Sequence, residues 1–183
     1  MREQMDLTER KLGREDKFAG RIVTVHVDTV ALPGGGTSTR EVVDHPGGVA
    51  VLPLDGENNV LTVTQYRYPF GRTTLEIPAG KLDHPGEDPY EAGLRELKEE
   101  TGAVPGVYRS LGRVLPSPGC YGEILHLYLA QDLKMEEQHL DEDEFLNVER
   151  VPFDEMVRRC MEGEIEDAKT VAAVLKAKIL LNL

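Results

Sequence analysis

The stretch that most limits the fold is residues 88–102, DPYEAGLRELKEETG. Asp88 predicts an N-cap, Pro89 suits the first helical position, and Glu91 completes a capping box. Gly102 suits the residue just past a helix C-terminus. This punctuation predicts one helix from Pro89 to Thr101. At roughly 100° per residue, Tyr90, Leu94 and Leu97 are expected to face a core. Glu96, Glu99 and Glu100 then fall on the opposite side, with the small residues Ala92 and Gly93 flanking them. Gly93 costs the helix about 1 kcal/mol of propensity, so something local is expected to need the space.

Like charges four apart on a helix repel. A solvated acidic face is one reading of Glu96, Glu99 and Glu100. A divalent metal site is the other, because hard cations such as Mg²⁺ take carboxylate oxygens and leave positions for water and phosphate.

Around this helix the periodicity is mostly two. RIVTVHVDTVAL alternates, with Val23, Val25 and Val27 on one side and Thr24, His26 and Asp28 on the other. PGGG at 33–36 predicts a turn, and TSTREVV returns as a second strand, giving an N-terminal hairpin. GVAVLPL and NVLTVTQYRY predict two strands separated by DGENN. TLEI, EILHLYLA (with Leu125, Leu127 and Leu129 on one face) and FLNVERV predict three more. PFDEMVRRCMEG and DAKTVAAVLKAKILL predict two terminal helices, the latter with Val171, Val174, Leu175 and Ile179 at helical spacing. Residues 1–18 are polar and predict a loose arm. The expected fold class is α+β, an α/β/α sandwich around a mixed sheet. The expected division is 1–45, an N-terminal arm and antiparallel β-hairpin, and 46–183, the main domain.

The 183 residues carry a formal net charge of −12. That argues against nucleic acid, whose phosphates need a basic surface. A small anionic substrate stays possible where a cation inverts the local field. The charged start lacks a signal peptide's apolar run, and no stretch reaches the length of a membrane span. Only two cysteines occur, Cys120 and Cys160, with no disulfide framework, so a cytoplasmic protein is expected. Cys120 is expected as a small buried cysteine, since nothing marks a base or oxyanion site for a nucleophile. His26, His45, His84 and His139 lack zinc spacing. LDEDEF, with Glu142 and Glu144, fails as a calcium loop because Leu146 stands where that loop needs Gly.

The string from Gly80 to Ala103 resembles the signature of the Nudix hydrolases. Glu87, Arg95, Glu96, Leu97, Glu99, Glu100, Gly102 and Ala103 match at the family spacing. Gly80 lies seven residues before Glu87 where the signature has six, so LDHPGE carries one extra residue. Outside this box, QYRYPFGRTTLEIPAG resembles the segment preceding it in ADP-ribose pyrophosphatases. Pro118, sixteen residues past Gly102, resembles a mark of that subfamily. The N-terminal hairpin resembles its extra domain.

The resemblance implies Mg²⁺-dependent hydrolysis of ADP-ribose to AMP and ribose 5-phosphate, with two or more ions and Mn²⁺ as a substitute. It implies Glu96, Glu100 and Glu99 as metal ligands, together with the Ala79 carbonyl. Arg95 would orient a box glutamate, and Glu99 is also a candidate catalytic residue. Arg67 would contact the diphosphate, and Glu76, Arg40 and Pro118 are further substrate-binding candidates. Glu142 matches a general base and Glu144 a metal ligand, with the reverse assignment open. A homodimer with exchanged N-terminal hairpins is implied, acting on a small nucleotide sugar and on neither nucleic acid nor membrane. The alternatives are another nucleoside diphosphate sugar such as GDP-mannose, or a non-catalytic nucleotide-sugar sensor. An acidic metal-buffering module would need neither the glycine loop nor Arg67.

Overall fold

The computed structural model describes residues 4–84, 86–140, 142 and 144–183. Pro85 of the loop insertion and Asp141 and Asp143 of LDEDEF lie outside the described residues. The chain divides into two compact units. One holds residues 1–46 with 117–123, and the other 47–116 with 124–183.

The first unit is a three-stranded antiparallel sheet in the order β1 (Arg10–Ala19), β2 (Thr24–Ala31), β3 (Thr37–Asp44). The returning segment joins β3 through Val43 N–H to Cys120 O at 2.8 Å and Gly122 N–H to Val43 O at 2.8 Å. Here the structure corrects three expectations. Residues 10–19 of the polar arm form a strand, because pairing with β2 satisfies its backbone and Lys11 meets Asp28 across the pair at 2.9 Å. Within β2 the better-buried face carries His26 and Val30, not the valines of the odd-numbered face. Both nitrogens of the His26 ring face carboxylates, Nδ1 to Asp28 at 2.9 Å and Nε2 to Asp44 at 3.3 Å, which makes a polar residue tolerable there. Cys120 is exposed, and Cys160 is the buried cysteine.

The second unit contains β4 (Gly48–Pro53), β5 (Asn59–Arg67), β6 (Arg72–Glu76), β7 (Ala79–Lys81), α1 (Pro89–Thr101), β8 (Ala103–Val114), β9 (Leu125–Met135), β10 (Leu146–Pro152), α2 (Phe153–Glu162) and α3 (Ala168–Leu181). β7, β4, β9 and β8 form a mixed sheet in that order, with β4 parallel to β9 and the other pairs antiparallel. β10, β5 and β6 form an antiparallel sheet.

β4 is buried along its whole length because both faces of its sheet are covered. Val49 and Val51 pack with Ala92 and Leu97 of α1 and with Tyr128 and Ala130 of β9. Ala50 and Leu52 pack the other way, with Leu127 and Leu129 of β9, Met156 of α2, and Ala173, Val174 and Ala177 of α3. Period-two alternation on β4 and β9 thus separates two cores and gives the α/β/α layering. Among the described residues no helix is long and apolar enough to cross a membrane.

The sequence pattern does not announce β8. Pro105, Gly106 and Gly112 look like breakers, yet β8 is an edge strand where a missing N–H is tolerated. Gly112 sits at φ 89° where the register shifts. On α3 the buried residues are Lys169, Thr170, Ala173, Val174 and Ala177, whereas Ile179 is 78% exposed. Beyond Lys169 in the first turn, the inner face is one of small residues, which lets the helix lie close to β4 and β9.

Candidate active site

The helix α1 starts and ends where its caps require. Asp88 accepts from the Tyr90 amide at 2.9 Å, and Gly102 adopts φ 72° with its amide on the Lys98 carbonyl. Its buried face differs from the expected one. Ala92, Gly93, Glu96, Leu97, Glu100 and Thr101 are buried, while Tyr90 is 41% exposed. Tyr90 instead lies edge-on to Tyr108 and Tyr128. Two box glutamates therefore sit inward. Glu96 is 7% exposed and Glu100 is 2% exposed.

The small residues explain how carboxylates fit there. A Cβ on Gly80 would lie 2.0 Å from the Glu96 carboxyl carbon, so the glycine loop leaves the space that this carboxylate fills. A Cβ on Gly93 would lie 2.1 Å from the Tyr108 hydroxyl, which accounts for a glycine inside the helix. The Ala79 amide donates to Glu100 Oε2 at 3.0 Å and fixes that side chain from β7.

Arg95 organises the outer side. Its guanidinium donates to Glu96 and Glu99, both at 2.9 Å, and pairs with Asp83 at 3.1 Å and Glu87 at 3.3 Å. Glu87 also accepts from the Asp83 amide at 2.6 Å, so the loop with the extra residue is pinned at the base of the helix. Partial burial works against the Arg95 charge, but these carboxylates outweigh it and raise its pKa.

Burial pushes the Glu96 carboxyl up to about 7 against the pull of Arg95, with Glu99 and Glu144 adding repulsion. Burial likewise raises Glu100 to about 8, and Glu96 and Glu144 push in the same direction. These are two desolvated carboxylates in one another's field, with a third from the acidic loop. A hard divalent cation would relieve both effects, and an all-oxygen donor set suits Mg²⁺ or Mn²⁺. The residues present therefore fit the metal that the sequence implies. Among the described residues no three potential ligands yet converge as a closed metal site.

Glu144 comes near because its loop docks on the C-terminal end of α1. The Glu136 amide donates to Gly102 O at 2.7 Å, the His139 amide to Glu99 O at 3.1 Å, and the Gln138 side chain to Glu100 O. These contacts satisfy carbonyls that a helix end leaves unpaired. Sequence reasoning missed Gln138 and weighed His139 only as a zinc ligand, whereas the contact uses its backbone amide, which no side-chain pattern flags.

Arg67 and Glu76 form a second cluster. Arg67 donates to both oxygens of Glu76, at 2.7 and 2.6 Å, and Thr74 and Lys169 also donate to that carboxylate. Burial would raise the Glu76 pKa, but these donors prevail and bring it to about 2. The Glu76 side chain is thus enclosed and committed to internal partners, while Arg67 stays partly exposed. Arg67 also feels the Glu100 charge, which ties this cluster to the box glutamates. Glu142 lies at a turn and is exposed. Arg40 and Pro118 belong to the N-terminal unit. Arg40 is engaged with Glu9, Ser38 and the Thr39 carbonyl, and Pro118 is exposed.

Known proteins bear on this arrangement. A NUDIX domain matches residues 44–174, and a nucleoside diphosphate sugar hydrolase N-terminal domain matches residues 9–43. The chain is 46% identical to the methanol dehydrogenase activator of Bacillus methanolicus, over 91% of this chain and 90% of that one. It is 41% identical to the ADP-ribose pyrophosphatase of Bacillus subtilis, over 92% and 91%. It is 34% identical to the GDP-mannose pyrophosphatase of Yersinia enterocolitica, over 76% and 78%. In fold it resembles a crystal structure of an ADP compounds hydrolase, with a TM-score of 0.84 at 24% identity over 98% and 97% of the two chains. The capped helix, the glycine that makes room for Glu96 and the domain matched over 44–174 agree, and the chain belongs to the Nudix hydrolase family.

Proposed function

We propose that this protein hydrolyses the diphosphate of ADP-ribose to AMP and ribose 5-phosphate, using two or more Mg²⁺ or Mn²⁺ ions. The observation that carries the reading is the buried pair Glu96 and Glu100, set against the glycine loop and within the field of Glu144. The choice of ADP-ribose rests on relatives of that name at 41% and 37% identity over most of the chain.

Glu96, Glu99, Glu100 and Glu144, with the Ala79 carbonyl, would hold the ions. When bound, the metal supplies Lewis-acid stabilisation of the charge that develops on the phosphate oxygens. Arg95 keeps Glu96 and Glu99 oriented through its two 2.9 Å hydrogen bonds. The Ala79 amide does the same for Glu100. Arg67 neutralises the diphosphate, and Glu76 holds Arg67 in place from beneath. Glu142 takes the proton of the attacking water as general base. Arg40 and Pro118 are assigned to substrate binding on the resemblance alone.

The active form is a homodimer with exchanged N-terminal hairpins, residues 1–45 supplying the contact. In support, β1 is exposed at every position, including Leu12 and Phe18. Two free cysteines suit a cytoplasmic setting.

The Yersinia relative favours GDP-mannose as a second reading. A panel of nucleoside diphosphate sugars with Mg²⁺, scored by kcat/KM, decides between them. ADP-ribose is expected to lead. A value for GDP-mannose well above that for ADP-ribose would overturn the substrate and leave the family standing.

A further inference from the structure

A buried lysine with a carboxylate partner occurs at the start of α3, outside the box. Lys169 is 8% exposed, yet its long polar side chain lies on the packed face of the helix. Such a group is retained at a cost in desolvation unless its partners are well placed. Its Nζ donates to Glu76 and to Asp167, the latter at 2.9 Å. Asp167 is the N-cap of α3 and accepts from the Thr170 amide at 3.0 Å. The Thr170 hydroxyl in turn accepts from the Ile77 amide at 3.0 Å, next to Glu76 in the chain. The first turn of α3 is therefore bolted to the end of β6 at two adjacent residues.

The charges have a consequence for Arg67. Without Lys169, the buried Glu76 carboxylate would have Arg67 as its sole cationic partner, and the guanidinium would be held by that demand. With Lys169 present, Glu76 is shared between two cations. Part of the Arg67 charge then stays available on its exposed side.

We propose that Lys169 is a positioning residue for diphosphate binding. It shares the charge of Glu76 so that Arg67 can turn its own charge toward the anionic substrate. The role of Arg67 rests on the reading above, whereas the Lys169–Glu76–Arg67 geometry does not.

The test is a double-mutant cycle on the full chain. Lys169→Met is expected to raise KM for ADP-ribose about tenfold while kcat changes less than about threefold, because an interaction with the bound diphosphate is weakened in ground and transition states alike. Lys169→Arg, which keeps a cation, is expected to stay within about threefold of wild type in KM. In a Glu76→Gln background, Lys169→Met is expected to leave KM where Glu76→Gln alone puts it, since the carboxylate that Arg67 hydrogen-bonds and shares with Lys169 is gone. Where Lys169→Met alone does not fold, Lys169→Gln, which keeps a hydrogen-bond donor beside Glu76 without the charge, takes its place and is expected to raise KM in the same way.

A lowered melting temperature with unchanged KM would mean that Lys169 is only structural and would overturn the proposal. So would a KM rise of the same size in both backgrounds. ADP binding, measured by calorimetry with Mg²⁺ present, separates the two readings. If wild type binds ADP and Lys169→Met binds it about tenfold more weakly, but no nucleotide sugar is turned over, the proposed function falls and the role of Lys169 stands. If wild type binds no diphosphate, both fall.

Discussion

Replacing Glu100 by Gln is expected to cut ADP-ribose turnover at saturating Mg²⁺ by a hundredfold or more, roughly the several kcal/mol that a bound metal contributes to charge stabilisation. The fold is expected to survive. The amide oxygen can still accept from the Ala79 amide, the contact that holds Glu100 at 3.0 Å. In EDTA the variant is expected to melt higher than wild type at pH 8.

The sign follows from the raised carboxyls. Glu96 and Glu100 have pKa values of about 7 and about 8, against an ordinary 4.5. The folded protein therefore binds more protons than the unfolded chain between those values. Stability from this source is fully present below about pH 4.5 and is lost as pH rises through 7 and 8. A tenfold weakening of a carboxylic acid on folding corresponds to about 1.4 kcal/mol, so at pH 8 the pair costs the metal-free fold on the order of a few kcal/mol. Each kcal/mol is worth about 2–4 °C in a chain of this size. Glu76, brought to about 2, acts with the opposite sign and only at lower pH. Scanning calorimetry at pH 5 and pH 8 checks this. Wild type in EDTA should lose more melting temperature between them than Glu100→Gln does. Equal losses would contradict the placement of the Glu100 charge, and near-normal turnover in Glu100→Gln would contradict its role with the metal.

Glu142→Gln and Glu144→Gln are expected to fail in different ways. Glu144 acts on both buried glutamates, so its loss should raise the Mg²⁺ concentration needed for half-maximal activity. Glu142 is exposed on the docked loop. As general base its loss should lower kcat by about 10²–10⁴-fold and leave the Mg²⁺ requirement and substrate affinity nearly unchanged. Mg²⁺ titrations of both variants check this. A shifted requirement in Glu142→Gln alone reverses the two roles. No effect in either variant makes the acidic loop a solvated one and sends the search for the base to Glu87 and Glu99.

What the sequence displays and what it hides follow different physics. The bounds of α1 are legible because an N-cap, a proline and a C-terminal glycine act through local backbone geometry. The two cores on β4 and β9 are legible because alternation is local as well. The orientation of α1 is not, since a rule that sends charge to solvent places Glu96 and Glu100 outside. Only the space left by Gly80 and the amide of Ala79, both distant in sequence, bring them in. β1 and β8 escape because their pairing depends on backbone bonds, not on apolar patterning. Lys169 and Gln138 escape for the same kind of reason. Each acts through a partner far along the chain, and neither residue type at its own position announces that partner.

On the proposed function, buried Glu96 and Glu100 serve metal-dependent cleavage of a diphosphate. Phosphorus NMR of ADP-ribose incubated with the purified chain tests it most directly. With Mg²⁺, the diphosphate resonances should give way to two phosphomonoester resonances, those of AMP and ribose 5-phosphate. With EDTA in place of Mg²⁺, or with Glu100→Gln, the diphosphate should persist. A diphosphate that stays intact with wild type and Mg²⁺, or that is cleaved as fast in EDTA, would contradict the account.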